Sequence, residues 1–298
     1  MPDNKKKQIW TVLSMLEWAT GYFEKRSVPS PRLSIEWLLA DLLQTGRLDL
    51  YLLYDRPLSS QELEQLRPLI KRRGRHEPLQ YITGHSEFLN CRIELNPSLL
   101  IPRQETEQLV SMILDDHPAT EKSTKQVIDI GTGSGCIPIA LKHSRPEWHC
   151  IGIDNSREVL KSARHNADLN ETEVEFIEAD MLHLNDERLT VSLQEADLII
   201  SNPPYIYPDE ESSLEKEVLE YEPRTALIHF DPLLLYRAVG QFACERLRPG
   251  GSLYLECNTR ITESFAEELQ AIFPSVGIRP DLDKKKRFIV AQKGEQTL

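Results

Sequence analysis

Apolar residues recur along the chain at two different periods, and the change of period divides it. In residues 5–26, Ile9, Val12, Leu13 and Leu16 fall on one face, the i, i+3, i+4, i+7 spacing of an amphipathic helix. Ser30-Pro31 reads as an N-cap followed by proline at the first helical position, with Leu38, Leu39 and Leu42 behind it. Ser59 or Ser60 opens another helix. Glu62 stands three residues after Ser59, as in a capping box, and Leu63, Leu66 and Ile70 face inward. Residues 1–76 therefore predict a small helical bundle. It carries no evident chemistry, and its functional role would be recognition of a partner.

From Pro78 the pattern alternates and gathers turn residues. Pro78 to Gly84, Phe88-Leu89-Asn90 and Cys91 to Leu95 read as a hairpin bridging two domains, within a linker over 77–104. A helix follows over Gln108 to Asp115. Thr106 or a neighbour would cap it, and Glu105 and Glu107 favour its positive end.

A catalytic domain over 105–298 has its main repeat from about Lys122, where short apolar strands alternate with helices. Val127 to Ile130 is a strand that runs into Gly131-Thr132-Gly133-Ser134-Gly135 and then a helix through Ile137, Ile139, Ala140 and Leu141. Glycines there let the backbone approach a ligand closely. Cys136 replaces the third glycine of a dinucleotide fingerprint, and no Gly-Lys-Ser/Thr follows, so neither that motif nor a phosphate loop is present. His149 to Ile153 is a second strand ending at Asp154, placed to bond ribose hydroxyls. A helix over Glu158 to Asn170 leads to a third strand, Glu173 to Ile177. Beyond it, Asp180 would accept from an adenine amino group and Met181 would pack on the ring.

The fourth strand, Ala196 to Ile200, ends at Ser201-Asn202-Pro203-Pro204-Tyr205. Two consecutive prolines forbid both helix and ladder and give a stiff open turn. Ligands of open α/β sheets bind at such strand ends. The Asn202 side chain and the Pro203 carbonyl make a pair of acceptors for an NH₂ group, and Tyr205 makes a flat wall. A helix with Leu234, Ala238, Phe242 and Cys244 or Leu247 inward runs from Leu233 to Leu247, and Pro249-Gly250-Gly251 ends it. Ser252 to Glu256 is a strand and Ile261 to Ile272 a helix. Val276 to Ile278 and Arg287 to Ala291 form a closing antiparallel pair with Lys284 to Arg287 as its exposed turn.

Charge narrows the partners. The net charge is −12 and unevenly spread: residues 1–84 hold 13 Lys/Arg against 10 Asp/Glu, and the remainder 22 against 37. An acidic main body disfavours a broad nucleic-acid face. The run Lys71-Arg72-Arg73-Gly74-Arg75 reads as a solvated helix end. Five cysteines without a C-x-x-C pair argue against zinc or disulfides and fit a reducing cytosol. No metal site, secretory segment or membrane span is expected.

These motifs together resemble the release-factor glutamine methyltransferases (the PrmC/HemK family), within the class I S-adenosylmethionine-dependent methyltransferases. The resemblance covers nearly the whole chain and is weakest in the helical N-terminal part. The Pro78-Leu79-Gln80-Tyr81-Ile82-x-Gly84 run, Phe88, and Leu100-Ile101-Pro102-Arg103-x-Glu105-Thr106-Glu107 are similar to the family's linker. Asp129-x-Gly131-x-Gly133-x-Gly135, Asp154, Met181 and Asn202-Pro203-Pro204-Tyr205 match its methionine loop, ribose acid, adenine-side residue and substrate-amide motif. Glu222-Pro223 with Thr225-Ala226-Leu227 also fits. Three departures stand out: Gln104 replaces a usual proline, residues 228–232 replace a glycine-rich segment, and Cys257-Asn258 follows Glu256 where glycine is common.

The resemblance implies an α/β fold, a Rossmann-like seven-stranded mostly parallel sheet with an N-terminal all-α bundle joined by a β-hairpin linker. It implies S-adenosyl-L-methionine as cofactor, held by Gly131, Thr132, Gly133, Ser134, Gly135, Asp154, Asp180, Met181 and Asn202. It implies a cytoplasmic monomer methylating the glutamine N5 in the Gly-Gly-Gln motif of peptide chain release factors, without direct nucleic-acid binding. Asn202, Pro203, Pro204 and Tyr205 would hold the substrate, with Asn202, Pro203 and Tyr205 acting in catalysis. Three alternatives remain: a ribosomal-protein glutamine methyltransferase, a nucleic-acid amino-methyltransferase, and a non-catalytic binding module.

Overall fold

The chain forms two units in a computed structural model that describes residues 9–119, 123–184, 193 and 195–295. One unit is Met1–Gly84 with Glu215–Tyr221; the other is His85–Leu214 with Glu222–Leu298. Lys122 and residues 5–8, which the sequence places at the start of the main repeat and of the first helix, lie outside the described residues.

The first unit is helical. α1 (Val12–Glu24) opens with a capping box between Thr11 and Ser14 and buries Val12, Met15, Leu16, Ala19 and Phe23. Ile9, expected on that face, is exposed. α2 (Pro31–Leu43) has proline at its start as expected. Ser30, however, is left-handed (φ 46°), and its side chain makes no cap bond. α3 (Ser60–Arg73) has the expected box, with Ser59 and Glu62 bonding reciprocally. Val12, Leu16, Phe23, Ile35, Leu38, Leu39 and Leu66 make the common core.

Two further expectations fail in this unit. Residues 79–83 are a short helix, α4 (Leu79–Thr83), not a strand, with Tyr81 and Ile82 buried. Pro78 starts it, and Gly84 at φ 82° stops it in the left-handed conformation that glycine adopts freely. Arg73, read as solvated, is buried. It donates to Ser34 Oγ (3.0 Å), the Pro29 and Glu77 carbonyls (3.3 and 2.9 Å) and Glu217 Oε2 (2.5 Å). Glu217 lies on a short helix, Lys216–Tyr221, that returns to this unit late in the chain.

The second unit begins with the hairpin β1 (His85–Phe88) and β2 (Cys91–Glu94). α5 (Gln104–Asp116) starts four residues before the expected Gln108. Thr106 is therefore buried inside the helix instead of capping it.

β3 (Gln126–Ile130), α6 (Cys136–Ser144), β4 (His149–Asp154), α7 (Arg157–Leu169), β5 (Val174–Glu178) and β6 (Ala196–Ser201) follow the expected alternation. α8 (Pro232–Arg246), β7 (Leu247–Glu256), α9 (Thr262–Leu269), β8 (Ser275–Pro280) and β9 (Lys286–Gln292) complete it. The sheet has seven strands in the order β5-β4-β3-β6-β7-β9-β8. Pairs from β5 to β7 are parallel, and β7/β9 and β8/β9 are antiparallel. This is the mostly parallel sheet that the resemblance implies. The strand order reverses beside β3, so the carboxyl ends of β3, β4 and β6 flank the crevice where such sheets bind ligands.

Three local readings change here. α8 buries Leu235, Tyr236, Val239, Phe242 and Ala243, whereas Leu234 is exposed. The helix is rotated about one position because the Tyr236 hydroxyl reaches the buried Glu256 carbonyl at 3.0 Å. β7 runs through Pro249-Gly250-Gly251 instead of starting after it, at the cost of a register shift opposite Ala196 and Leu198. Arg287 is not an exposed turn residue: 13% of its side chain is accessible, and it pairs with Asp281 at 2.9 Å.

The hairpin's edge is finished by side chains. Asn166 Oδ1 accepts from Glu94 N–H (2.9 Å), and its Nδ2 donates to the Glu94 and Ser134 carbonyls (3.2 and 3.0 Å). One turn on, Asn170 makes the same paired bonds to Arg92 (3.0 and 2.8 Å). Two amides at i and i+4, one on α7 and one at its C-cap, thus stand in for a neighbouring strand.

Candidate active site

The turn after β3 is a tight one. Gly131, Gly133 and Gly135 all have positive φ (77°, 55° and 80°), a conformation that a Cβ would strain. The N–H groups of Gly131 and Thr132 both reach the Ile153 carbonyl, at 2.8 and 2.9 Å, tying the loop to β4. Gly135 occupies the N-cap of α6.

Asp154 closes the other side. Its Oδ2 accepts from Gly133 N–H and its Oδ1 from Ser156 N–H, both at 3.0 Å. Burial raises its pKa above the ordinary carboxylate range, against those donors. A carboxylate has about four acceptor sites, so anchoring the loop leaves capacity for ligand hydroxyls.

A cavity of about 360 Å³ opens here. Gly131, Thr132, Gly133, Ser134, Asp154, Met181, Asn202 and Pro204 all line it, drawn from four successive strand ends. Gly135, Asp180, Pro203 and Tyr205 stand outside that lining. The Asp180 carboxylate accepts from Leu182 N–H at 2.9 Å and caps a short turn. Tyr205 packs against the core, and its hydroxyl donates to Glu256 Oε1 at 3.2 Å.

Several residues that the sequence places in the matched motifs without a role contribute to the site. Asp129 is wholly buried. Neither its carboxylate oxygens nor Thr132 Oγ1 finds a hydrogen-bond partner among the described residues. Burial pushes Asp129 up to about 7, the nearby Thr132 hydroxyl opposes the shift, and the negative Asp154 adds to it. Glu222 is also buried; it accepts from Ile101 N–H at 3.2 Å and from Arg103 at 2.5 Å, fixing the segment that forms the cavity's outer wall. Asn202 Nδ2 donates to Thr106 Oγ1 at 3.1 Å, and Thr106 donates to Glu256 Oε2 at 2.8 Å.

Residues 228–232, the main departure from the family pattern, have a structural use. Ile228 forms a bridge with Ile206, just after the Asn-Pro-Pro-Tyr turn. Asp231 caps α8 by accepting from Leu234 N–H at 3.3 Å, with Pro232 at the first helical position.

The sheet order and the cavity at its carboxyl ends define a class I methyltransferase fold. A T. thermophilus 16S rRNA methyltransferase in complex with AdoMet and guanosine superposes with a TM-score of 0.52 at 18% identity, over 70% of this chain and 49% of that one. A Pyrococcus furiosus methyltransferase gives 0.50 at 16% identity, over 69% and 90%. Family models match as a methyltransferase domain over residues 121–276 and a PrmC N-terminal domain over residues 14–84. The release factor glutamine methyltransferase of Geobacter sulfurreducens is 40% identical over 85% of this chain and 86% of its own. That of Leptospira interrogans is 34% identical over 94% and 97%. The chain belongs to the release factor glutamine methyltransferases.

Proposed function

We propose that the protein transfers a methyl group from S-adenosyl-L-methionine to the N5 side-chain amide of the glutamine in the Gly-Gly-Gln motif of peptide chain release factors. The observation that carries this reading is the Asn202 amide, held at the wall of a cavity built by the glycine loop and Asp154.

The residues present suit such a cofactor. Two left-handed glycines, Gly131 and Gly133, leave room for close approach, and Asp154 offers acceptors to ribose hydroxyls. A Cβ on Gly131 would stand 3.1 Å from Met181 Cε, so the glycine also keeps Met181 at the ring side. The buried Thr132 hydroxyl and Asp129 carboxylate, close enough to interact with each other, give further polar capacity beneath the loop. When bound, the cofactor supplies an electrophilic methyl group on a sulfonium.

An amide nitrogen is a weak nucleophile because its lone pair is shared with the carbonyl. Asn202 Oδ1 and the Pro203 carbonyl would accept its two N–H groups, fix its direction and favour the positive charge that grows on it. The double proline keeps that carbonyl from turning away. Tyr205 would wall the glutamine and exclude water. Positioning for in-line attack is then the main source of acceleration, and the proton leaves nitrogen after transfer.

Labelled cofactor incubated with a release factor, a release factor lacking the glutamine, a ribosomal protein, and RNA or DNA separates the readings. Label should enter only the glutamine-bearing release factor. Asn202→Ala should slow single-turnover transfer about 10²–10³-fold with little change in cofactor affinity. Transfer at the normal rate would remove Asn202 from the mechanism.

A further inference from the structure

The Thr106 hydroxyl has one proton and two partners. It lies 2.8 Å from Glu256 Oε2 and 3.1 Å from Asn202 Nδ2. The other Glu256 oxygen receives the Tyr205 hydroxyl at 3.2 Å. An ionised carboxylate only accepts hydrogen bonds, so both hydroxyls must point their protons at Glu256. Thr106 then offers Asn202 nothing but a lone pair. Only the NH₂ end of the amide can use it, and Oδ1 is left for whatever occupies the cavity that Asn202 lines.

We propose that Glu256 is a positioning residue for methyl transfer: through Thr106 it holds Asn202 with its carbonyl oxygen, not its NH₂ group, presented to the substrate. This rests on the reading of Asn202 as the acceptor for the glutamine NH₂. The two ends of a primary amide are nearly equal in size, so shape cannot choose between them. The flipped amide would oppose one NH₂ group with another and lose the acceptor.

The cost of the arrangement supports a use for it. Glu256 is wholly buried, and no Lys or Arg pairs with it among the described residues. An unpaired buried carboxylate is expensive, and a neutral side chain would pack here at lower cost. Its surroundings are Glu105 and Thr106 from α5, Tyr205 from the turn, Arg287 from β9, Tyr236 from α8, Cys136 from α6, and Cys257 beside it. Burial pushes the carboxyl up to about 7. Once protonated it can donate to Thr106, whose own proton is then free to point at Oδ1 of a flipped Asn202. The acceptor face is therefore lost as the pH falls through that value.

The test compares Glu256→Gln, Thr106→Val, Thr106→Ser, Asn202→Ala and the Thr106→Val/Asn202→Ala pair. Folding is checked by circular dichroism, cofactor binding by calorimetry and transfer by single turnover. Thr106→Val should slow transfer about tenfold or more with cofactor affinity unchanged, as expected for a lost buried polar contact, and Glu256→Gln, whose amide oxygen can still accept from Thr106 but does not titrate, should lose the acid-side fall in rate. Thr106→Ser, which keeps the hydroxyl, should recover most of the rate. Thr106→Val should add nothing once Asn202 is alanine, and the acid-side fall in the wild-type rate should be absent from Thr106→Val. Folded Thr106→Val transferring at the wild-type rate, or losses that add in the double variant, would overturn the proposal while a slow Asn202→Ala left the role of Asn202 standing. A fast Asn202→Ala would overturn both.

Discussion

Asn166 on α7 and Asn170 at its C-cap sit one turn apart and finish the edge of the same hairpin in different surroundings. That pair gives a quantitative test of how the hairpin is held against the glycine loop. Asn166→Leu keeps the size of the side chain and deletes three hydrogen bonds, to Glu94 N–H, the Glu94 carbonyl and the Ser134 carbonyl. The Ser134 carbonyl is buried, and leaving it unpaired costs about 1–3 kcal/mol. The two Glu94 bonds are part-buried and contribute about 0.5–1.5 kcal/mol each, so the loss totals roughly 2–6 kcal/mol. Asn170→Leu also deletes three bonds: the equivalent pair at Arg92, where water can replace both, and one from Nδ2 to the Asn166 carbonyl (2.7 Å), which keeps the Asn170 N–H as a partner. Its cost should be no more than about 1 kcal/mol. Equilibrium urea unfolding, with midpoints compared at a common slope, measures both. Ser134 also lines the cavity, so calorimetry should show weaker cofactor binding in Asn166→Leu alone. Equal losses at the two positions, or a loss below about 0.5 kcal/mol at Asn166, would refute the reasoning, because burial is the only physical difference invoked.

Further outcomes follow from the site. Asp154→Ala should weaken cofactor binding, measured by calorimetry, far more than it slows transfer at saturating cofactor; unaltered affinity would count against its ribose role. Glu222→Ala leaves Arg103 and Ile101 N–H without their partner. It should cost about 2 kcal/mol in thermal or chemical unfolding, less than a fully buried pair because 29% of the Arg103 side chain meets water. Glu256 has a folded-state pKa raised by burial from 4.5 to about 7. From roughly pH 8 down to pH 5 the folded protein takes up a proton there that the unfolded chain does not, so this residue favours folding more as pH falls. The stability of wild type relative to Glu256→Gln should rise over that range by up to about 3 kcal/mol, and a flat difference would contradict the burial argument.

The parts of the fold that can be read in the sequence are those with local signals. Gly131 to Gly135, Asp154 and Asn202-Pro203-Pro204 each announce a strand end through an abrupt change from apolar to turn residues, and the structure brings Gly131 to Ser134, Asp154, Asn202 and Pro204 to one cavity. The Ser59–Glu62 box is equally local, three residues apart. What escapes is fixed by partners distant in sequence. Thr106 and Glu256 are 150 positions apart, and Thr106, standing between two acids at a helix start, has every local mark of a cap. Arg73 sits in a basic run that looks solvated, yet its partner Glu217 lies 144 positions away. The helix at Leu79–Thr83 is hidden in an alternating stretch because its stop signal, Gly84, serves turns of strands as readily as ends of helices.

The returning helix Lys216–Tyr221 has a consequence for how the protein is made. Residues 1–84 leave the ribosome first, but their unit lacks its last piece until residue 221 has been translated. Arg73 can gain Glu217 only then. At usual synthesis rates the gap is on the order of ten seconds. During it the helical bundle must either persist without that partner or stay partly open while the sheet's first four strands are made. The N-terminal unit is thus first in the chain without being first to be finished, and its completion is tied to synthesis of the turn that carries Asn202.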